Sequence, residues 1–220
     1  MRKIIPRRIY QPFRAMTGSF YAQVKTGRLK SSQTAHFAQT EAMGHGLLMA
    51  TETAKQYGHK SIAVAEFGVF DGRGLRLMAS MAQRLSKQSG VEIRVYGFDT
   101  GIGMPAPKGW RDIPHIMSEG GYAMSGVDDL RSKLKGKAEL VINDIGKIGK
   151  LSNVIDPTVP FGFASVDVDL YSSTMATFKL LASGEKMALL PQVNLYIRDS
   201  FTRQYYSRFV AMLRAVDNVS

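Results

Sequence analysis

The sequence predicts an α/β fold: a parallel sheet of about five strands with helices on both faces. Two observations predict it. Short apolar runs alternate along the chain with segments of helical period, and such alternation calls for a parallel sheet joined by right-handed crossovers. The run SIAVAEFGVF is short and mostly apolar, of the kind buried in a parallel sheet.

Taken in order, AMGHGLLMATETAKQYG places Met43, Leu47, Leu48, Ala54 and Tyr57 near helical spacing. SIAVAEFGVF is the first strand. RGLRLMASMAQRLSKQ sets Leu75, Met78, Met81, Ala82 and Leu85 on one helical face. VEIRVYGFD is the second strand, and the stretch from GIGMPAPKGW to GGYAM reads as a long loop. VDDLRSKL is a short helix, AELVIND a third strand and GFASVDVDLY a fourth. The helix SSTMATFKLLA, the strand QVNLYIRD and an amphipathic helix, RQYYSRFVAMLRAV, complete the series. There is no internal repeat of useful period.

The net charge of +11 is concentrated at one end. Residues 1–30 hold eight basic residues and no acid, while the rest of the chain carries 21 basic and 18 acidic residues. The chain therefore divides into a basic N-terminal arm with partial helix, 1–40, and a nearly balanced domain, 41–220. The arm could meet nucleic acid, an anionic surface or an acidic partner, or remain solvated. It has no zinc motif or clear recognition helix, which argues against base-specific recognition, and nucleic acid is not the expected partner. Cysteine is absent, so disulfides, thiolate metal ligands and thiol nucleophiles are excluded. No apolar run approaches the roughly 20 residues of a membrane span, and a cytoplasmic setting fits.

In parallel sheets of this kind ligands lie beyond the carboxyl ends of the strands, at the point where strand order reverses. Every predicted strand ends on an acid: Glu66, Asp99, Asp144, Asp167 or Asp169, and Asp199. A phosphate-rich ligand would be repelled by such a rim, whereas a cationic or hydroxyl-rich one would be held. The glycine turn after the first strand points the same way. Its spacing, Gly68, Gly72, Gly74, is neither the G-x-G-x-x-G of a dinucleotide fold nor a P-loop. S-adenosylmethionine carries a sulfonium and an ammonium but no phosphate. Gly68 and Gly72 would admit its amino-acid end, Glu66 would hold its amino group, Asp99 its ribose hydroxyls and Asp144 its adenine amine. The competing reading makes Asp99 and Asp144 turn formers.

In their order, VAEFGVFDGRGLRLM, VYGFDTGIGMPAP and SVDVDLYSST resemble the class I S-adenosylmethionine-dependent methyltransferases of the macrocin O-methyltransferase type, from about Ala42 to Asp199. The resemblance implies a Rossmann-like fold, S-adenosylmethionine as methyl donor, and O-methylation of a hydroxyl on a small polar or glycosylated metabolite. It also implies a divalent metal such as Mg²⁺. Carried over residue by residue, Asp167 becomes the catalytic residue and, with Asp199, a metal ligand. Asp169 reads instead as a turn former, with Ser172 or Ser173 capping the next helix.

Two departures stand out. Arg198 occupies the position of the first acid in the family's Asp-Asp pair, and a guanidinium beside Asp167 would oppose a divalent ion and pair with the carboxylate itself. The antiparallel strands that usually follow the fifth are not evident, so an uncovered edge would favour a homo-oligomer. Rival functions are a catalytically inert cofactor-binding or scaffold protein, and a nucleic-acid-binding module using the basic arm.

Overall fold

A computed structural model of the chain describes residues 31–183 and 189–198. Five strands form one parallel sheet: β1 (Ser61–Phe67), β2 (Glu92–Asp99), β3 (Glu139–Ile142), β4 (Phe161–Val166) and β5 (Leu189–Ile197). Their order is β3-β2-β1-β4-β5, with every neighbouring pair parallel. This is the Rossmann-like arrangement, and its order reverses between β1 and β4. The closing amphipathic segment at 203–216, Asp199 and most of the basic arm lie outside the described residues.

Among the described residues four α-helices accompany the sheet: α1 (Ser31–Gln56), α2 (Arg73–Ser89), α3 (Val127–Leu134) and α4 (Tyr171–Ala182). Period-two alternation decides which strand residues meet which helices. Ile62 and Val64 of β1 pack with Leu47 of α1, Met78 of α2 and Leu134 of α3 on one face. Ala63, Ala65 and Phe67 face the other way, onto Phe178 and Leu181 of α4. The five apolar positions assigned to α2 are all buried. In α1 the assigned Met43, Leu47, Leu48 and Ala54 are buried, but Tyr57 is 55% exposed because the helix ends at Gln56.

Backbone pairing continues past the strand ends. Asp167 N donates to Phe67 O at 2.8 Å, Gly68 N to Phe98 O at 2.9 Å, and Arg198 N to Val166 O at 2.9 Å. The residues that leave β1, β4 and β5 are thereby fixed side by side at the switch point. Among the described residues no helix is long and apolar enough to cross a membrane.

Candidate active site

A cleft of about 610 Å³ opens where the strand order reverses, within the range of small-molecule sites. Glu66, Asp99, Asp144 and Asp167, the strand-end acids among the described residues, all line it, joined by Asp71 and Asp169. Four basic residues, Arg73, Lys108, Lys147 and Arg198, share the lining. Two of these are already paired, Arg73 with Asp71 at 3.2 Å and Arg198 with Asp167. The cleft is thus acidic in balance.

Glu66 sits deepest. It is the penultimate residue of β1 and is 2% exposed, and its Oε2 is enclosed without a hydrogen-bond partner among the described residues. Burial pushes its carboxyl well above the usual carboxylate range, the nearby Asp167 adds to that push, and Arg198 partly opposes it. The Ser165 hydroxyl oxygen, on the register neighbour of Glu66 in β4, is likewise enclosed and without a partner. A buried carboxyl left unpaired calls for an explanation, and a ligand ammonium would provide one.

The glycines around Glu66 are demanded by contact. Gly68 has φ +88°, and a Cβ there would run into the Asp167 carbonyl oxygen. The chain leaving β1 runs this close beside the chain leaving β4. Gly72, φ +73°, caps α2, and a side chain there would strike Leu130 of α3; its contacts are therefore with the fold. Gly74 is the glycine that meets the acid, because a methyl there would collide with Glu66 Oε1. It lines the cleft and makes the better candidate for the donor's amino-acid end.

Asp99 is committed to the turn. Its Oδ2 accepts from Val69 N at 2.9 Å and Phe70 N at 3.0 Å, and its Oδ1 accepts from Gly101 N at 2.8 Å. Three of about four acceptor sites are filled, leaving room for one ribose hydroxyl. Asp144 accepts from Gly146 N at 2.9 Å and caps a short turn, Ile145–Lys147. For both residues, the turn-forming role and a place in the cleft are realised together.

Asp167 and Asp169 both line the cleft, beyond the end of β4 at Val166. The capping expected of Ser172 or Ser173 is corrected. The N-cap position of α4 is Leu170, which makes no side-chain cap, and the helix start is held by Asp112 from the long loop. Asp112 is 1% exposed; its Oδ1 accepts from Ser172 N and its Oδ2 from the Ser172 hydroxyl, both at 2.7 Å, and Oδ2 also accepts from Lys108 N. Arg111 adds a second tie, its guanidinium lying 5.2 Å from the Trp110 ring and 5.3 Å from the Tyr171 ring. Trp110 and His115, noticeable in sequence, are exposed, whereas Met104 and Tyr122 of the same loop line the cleft. Gln39 of α1, buried at the cleft wall, was not marked by any motif.

By sequence the chain matches no protein-family model and no curated protein. By structure it is similar to the calicheamicin methyltransferase CalS11, with a TM-score of 0.54 and 17% identity over 96% of this chain and 85% of that one. The likeness is one of fold, the Rossmann-like arrangement described above. An apo structure of CalS11, described as a TDP-rhamnose 3'-O-methyltransferase of calicheamicin biosynthesis, aligns at 19% identity and a TM-score of 0.47 over 96% of this chain and 86% of that one.

S-adenosylmethionine and a divalent metal fare differently against these residues. The donor fits: an enclosed, unpartnered Glu66 Oε2, a glycine cradle at Gly74 and an acidic cleft suit a ligand with an ammonium and a sulfonium. A metal does not fit at Asp167, whose carboxylate is ion-paired with Arg198. Among the described residues no group of three His, Asp or Glu is placed to hold an ion.

Proposed function

We propose that the chain is an S-adenosylmethionine-dependent methyltransferase that methylates a hydroxyl of a small polar acceptor in the switch-point cleft. The observation that carries this reading is the convergence of four strand-end acids on one cleft, with Glu66 buried and unpaired at its base. Its similarity in fold to a calicheamicin methyltransferase supports it. A nicotinamide dinucleotide would bring a pyrophosphate, for which a cleft acidic in balance and a G-x-x-x-G-x-G turn are ill suited.

Bound there, S-adenosylmethionine would supply an electrophilic methyl carbon, whose bond to sulfur breaks as the acceptor oxygen bonds to it, leaving a neutral thioether. Glu66 would take the ammonium, with Gly74 and Gly68 giving the backbone room for the amino-acid end. Asp99 would offer its remaining acceptor site to a ribose hydroxyl, and Asp144 would meet the adenine amine. Asp167, at the opposite wall, would receive the acceptor's hydroxyl proton and pass it to solvent. Met104 and Tyr122, from the loop clamped to α4 by Asp112, would exclude water from the reacting atoms.

Thermal melting with S-adenosylhomocysteine, NADH and a short RNA, run in parallel, tests the reading. A ligand that binds only the native state raises Tm with occupancy. S-adenosylhomocysteine alone should give a saturable rise. A rise with NADH or RNA and none with S-adenosylhomocysteine would refute the assignment.

A further inference from the structure

We propose that Arg198 takes the place of a metal ion in this cleft: its guanidinium holds Asp167 in position, supplies the fixed positive charge beside the acceptor oxygen, and keeps divalent cations out. The chemistry rests on the methyl-transfer reading, but the electrostatics do not.

Three observations lead there. First, the backbone itself sets the pair. Arg198 N is bonded to Val166 O, and Asp167 N to Phe67 O, so the two side chains leave adjacent parallel strands at the same level. Their ion pair therefore follows from sheet register, and joins Arg198 Nη1 to Asp167 Oδ2.

Second, the guanidinium faces the cleft with capacity to spare. Arg198 lines the cleft and its side chain is 39% exposed. One of its five donors is committed to Asp167. The others can reach an oxygen that gains negative charge as its proton departs, a role open to fixed donors in a site that excludes water.

Third, the surrounding charges need this cation. Asp167, Asp71 and Asp99 all act on Glu66 in the sense of a negative neighbour, and Arg198 is the positive group that opposes them. Without Arg198, Asp167 would lose its ion-pair partner beside the buried Glu66, and unbalanced negative charge there is the kind of field that draws a divalent ion. With Arg198 in place, an ion at Asp167 would have to displace a guanidinium and then sit beside it. Arginine remains charged at every working pH, so this cation, unlike a bound metal, cannot be removed by a chelator.

The test uses full-length protein and Mn²⁺ or Mg²⁺ as the probe, read by calorimetry and by Tm, with and without S-adenosylhomocysteine. Wild type should show no saturable metal binding up to about 10 mM, and any methyl transfer should survive EDTA undiminished. Arg198→Asp should gain a saturable Mn²⁺ site, with affinity at least tenfold above wild type, and Asp167→Asn in the same chain should abolish it. Should aspartate prevent folding, Arg198→Met keeps the hydrocarbon stem and should still raise Mn²⁺ affinity over wild type. A stoichiometric Mg²⁺ or Mn²⁺ site in wild type that Asp167→Asn removes would overturn the inference. So would a folded Arg198→Asp chain with no gain in metal affinity. Failure of S-adenosylhomocysteine to bind would count against the methyl-transfer reading alone, since the metal titration is read in its absence as well.

Discussion

Asp112 and Ser172, sixty residues apart in the chain, are joined by two hydrogen bonds of 2.7 Å, one from the Ser172 backbone N–H and one from its hydroxyl. The pair fastens the loop that walls the cleft to the start of the helix after β4. A buried carboxylate in this position serves as helix cap and loop anchor together. Asp112→Ala would leave the N–H groups of Ser172 and Lys108 without their acceptor, at a cost of about 2–3 kcal/mol. Urea unfolding should show that loss as a lower midpoint with an unchanged slope, while S-adenosylhomocysteine affinity falls less steeply than stability.

Glu66 couples pH to folding. Burial raises its carboxyl well above the usual carboxylate range, so the folded chain binds this proton more tightly than the unfolded chain does. Its stabilising share is then fully present below the unfolded value and is lost as pH rises through the raised folded value. Glu66→Gln carries no titrating proton and should be more stable than wild type at alkaline pH. The difference should vanish as pH falls towards the unfolded glutamate value of about 4.3. The same variant should bind S-adenosylhomocysteine at least tenfold more weakly. Melting curves across pH check both halves, and a difference that grows on acidification would contradict the sign.

At Gly74 two effects compete. Helix propensity alone predicts that Gly74→Ala, in the first turn of α2, stabilises by roughly 0.5–1 kcal/mol. The methyl would meet Glu66 Oε1, and overpacking of that kind costs about 1–3 kcal/mol. The collision should win. The variant is expected to melt lower than wild type and to lose S-adenosylhomocysteine affinity, which differential scanning calorimetry with and without ligand would show.

How much of the molecule was legible in the sequence depended on the range of the interaction. Periodicity is local, so α2 and α3 were placed within a residue, and the buried face of α2 was identified in full. The strand-end acids were legible for the same reason: an acid closing an apolar run is visible within a short window. The correct occupant of each contact was not. Gly72 and Gly74 look alike in sequence, and only the tertiary approach of Glu66 separates them. Asp112 sits in a loop of mixed composition, and nothing in KGWRDIP announces a partner sixty residues away. Helix α1 extends back to Ser31, well before the apolar spacing that marked it. Arg198 was readable only through the resemblance, yet its pairing with Asp167 is what the register of β4 and β5 delivers.

Asp99 carries the sharpest double duty. Asp99→Ala would strip the acceptor from the Val69, Phe70 and Gly101 N–H groups together, costing about 2–4 kcal/mol, and the S-adenosylhomocysteine shift should vanish with it. Comparing apo melting points separates the two losses. A variant that keeps wild-type stability but loses the ligand would show that the turn does not depend on this carboxylate.

The central claim is that one cleft at the β1–β4 switch point receives the methyl donor. A crystal structure of the chain grown with saturating S-adenosylhomocysteine tests it most directly. The account predicts ligand density in the cleft, its amino group against Glu66 and its ribose beside Asp99. Density confined to another surface, or a cleft left unfilled at saturation, would contradict it.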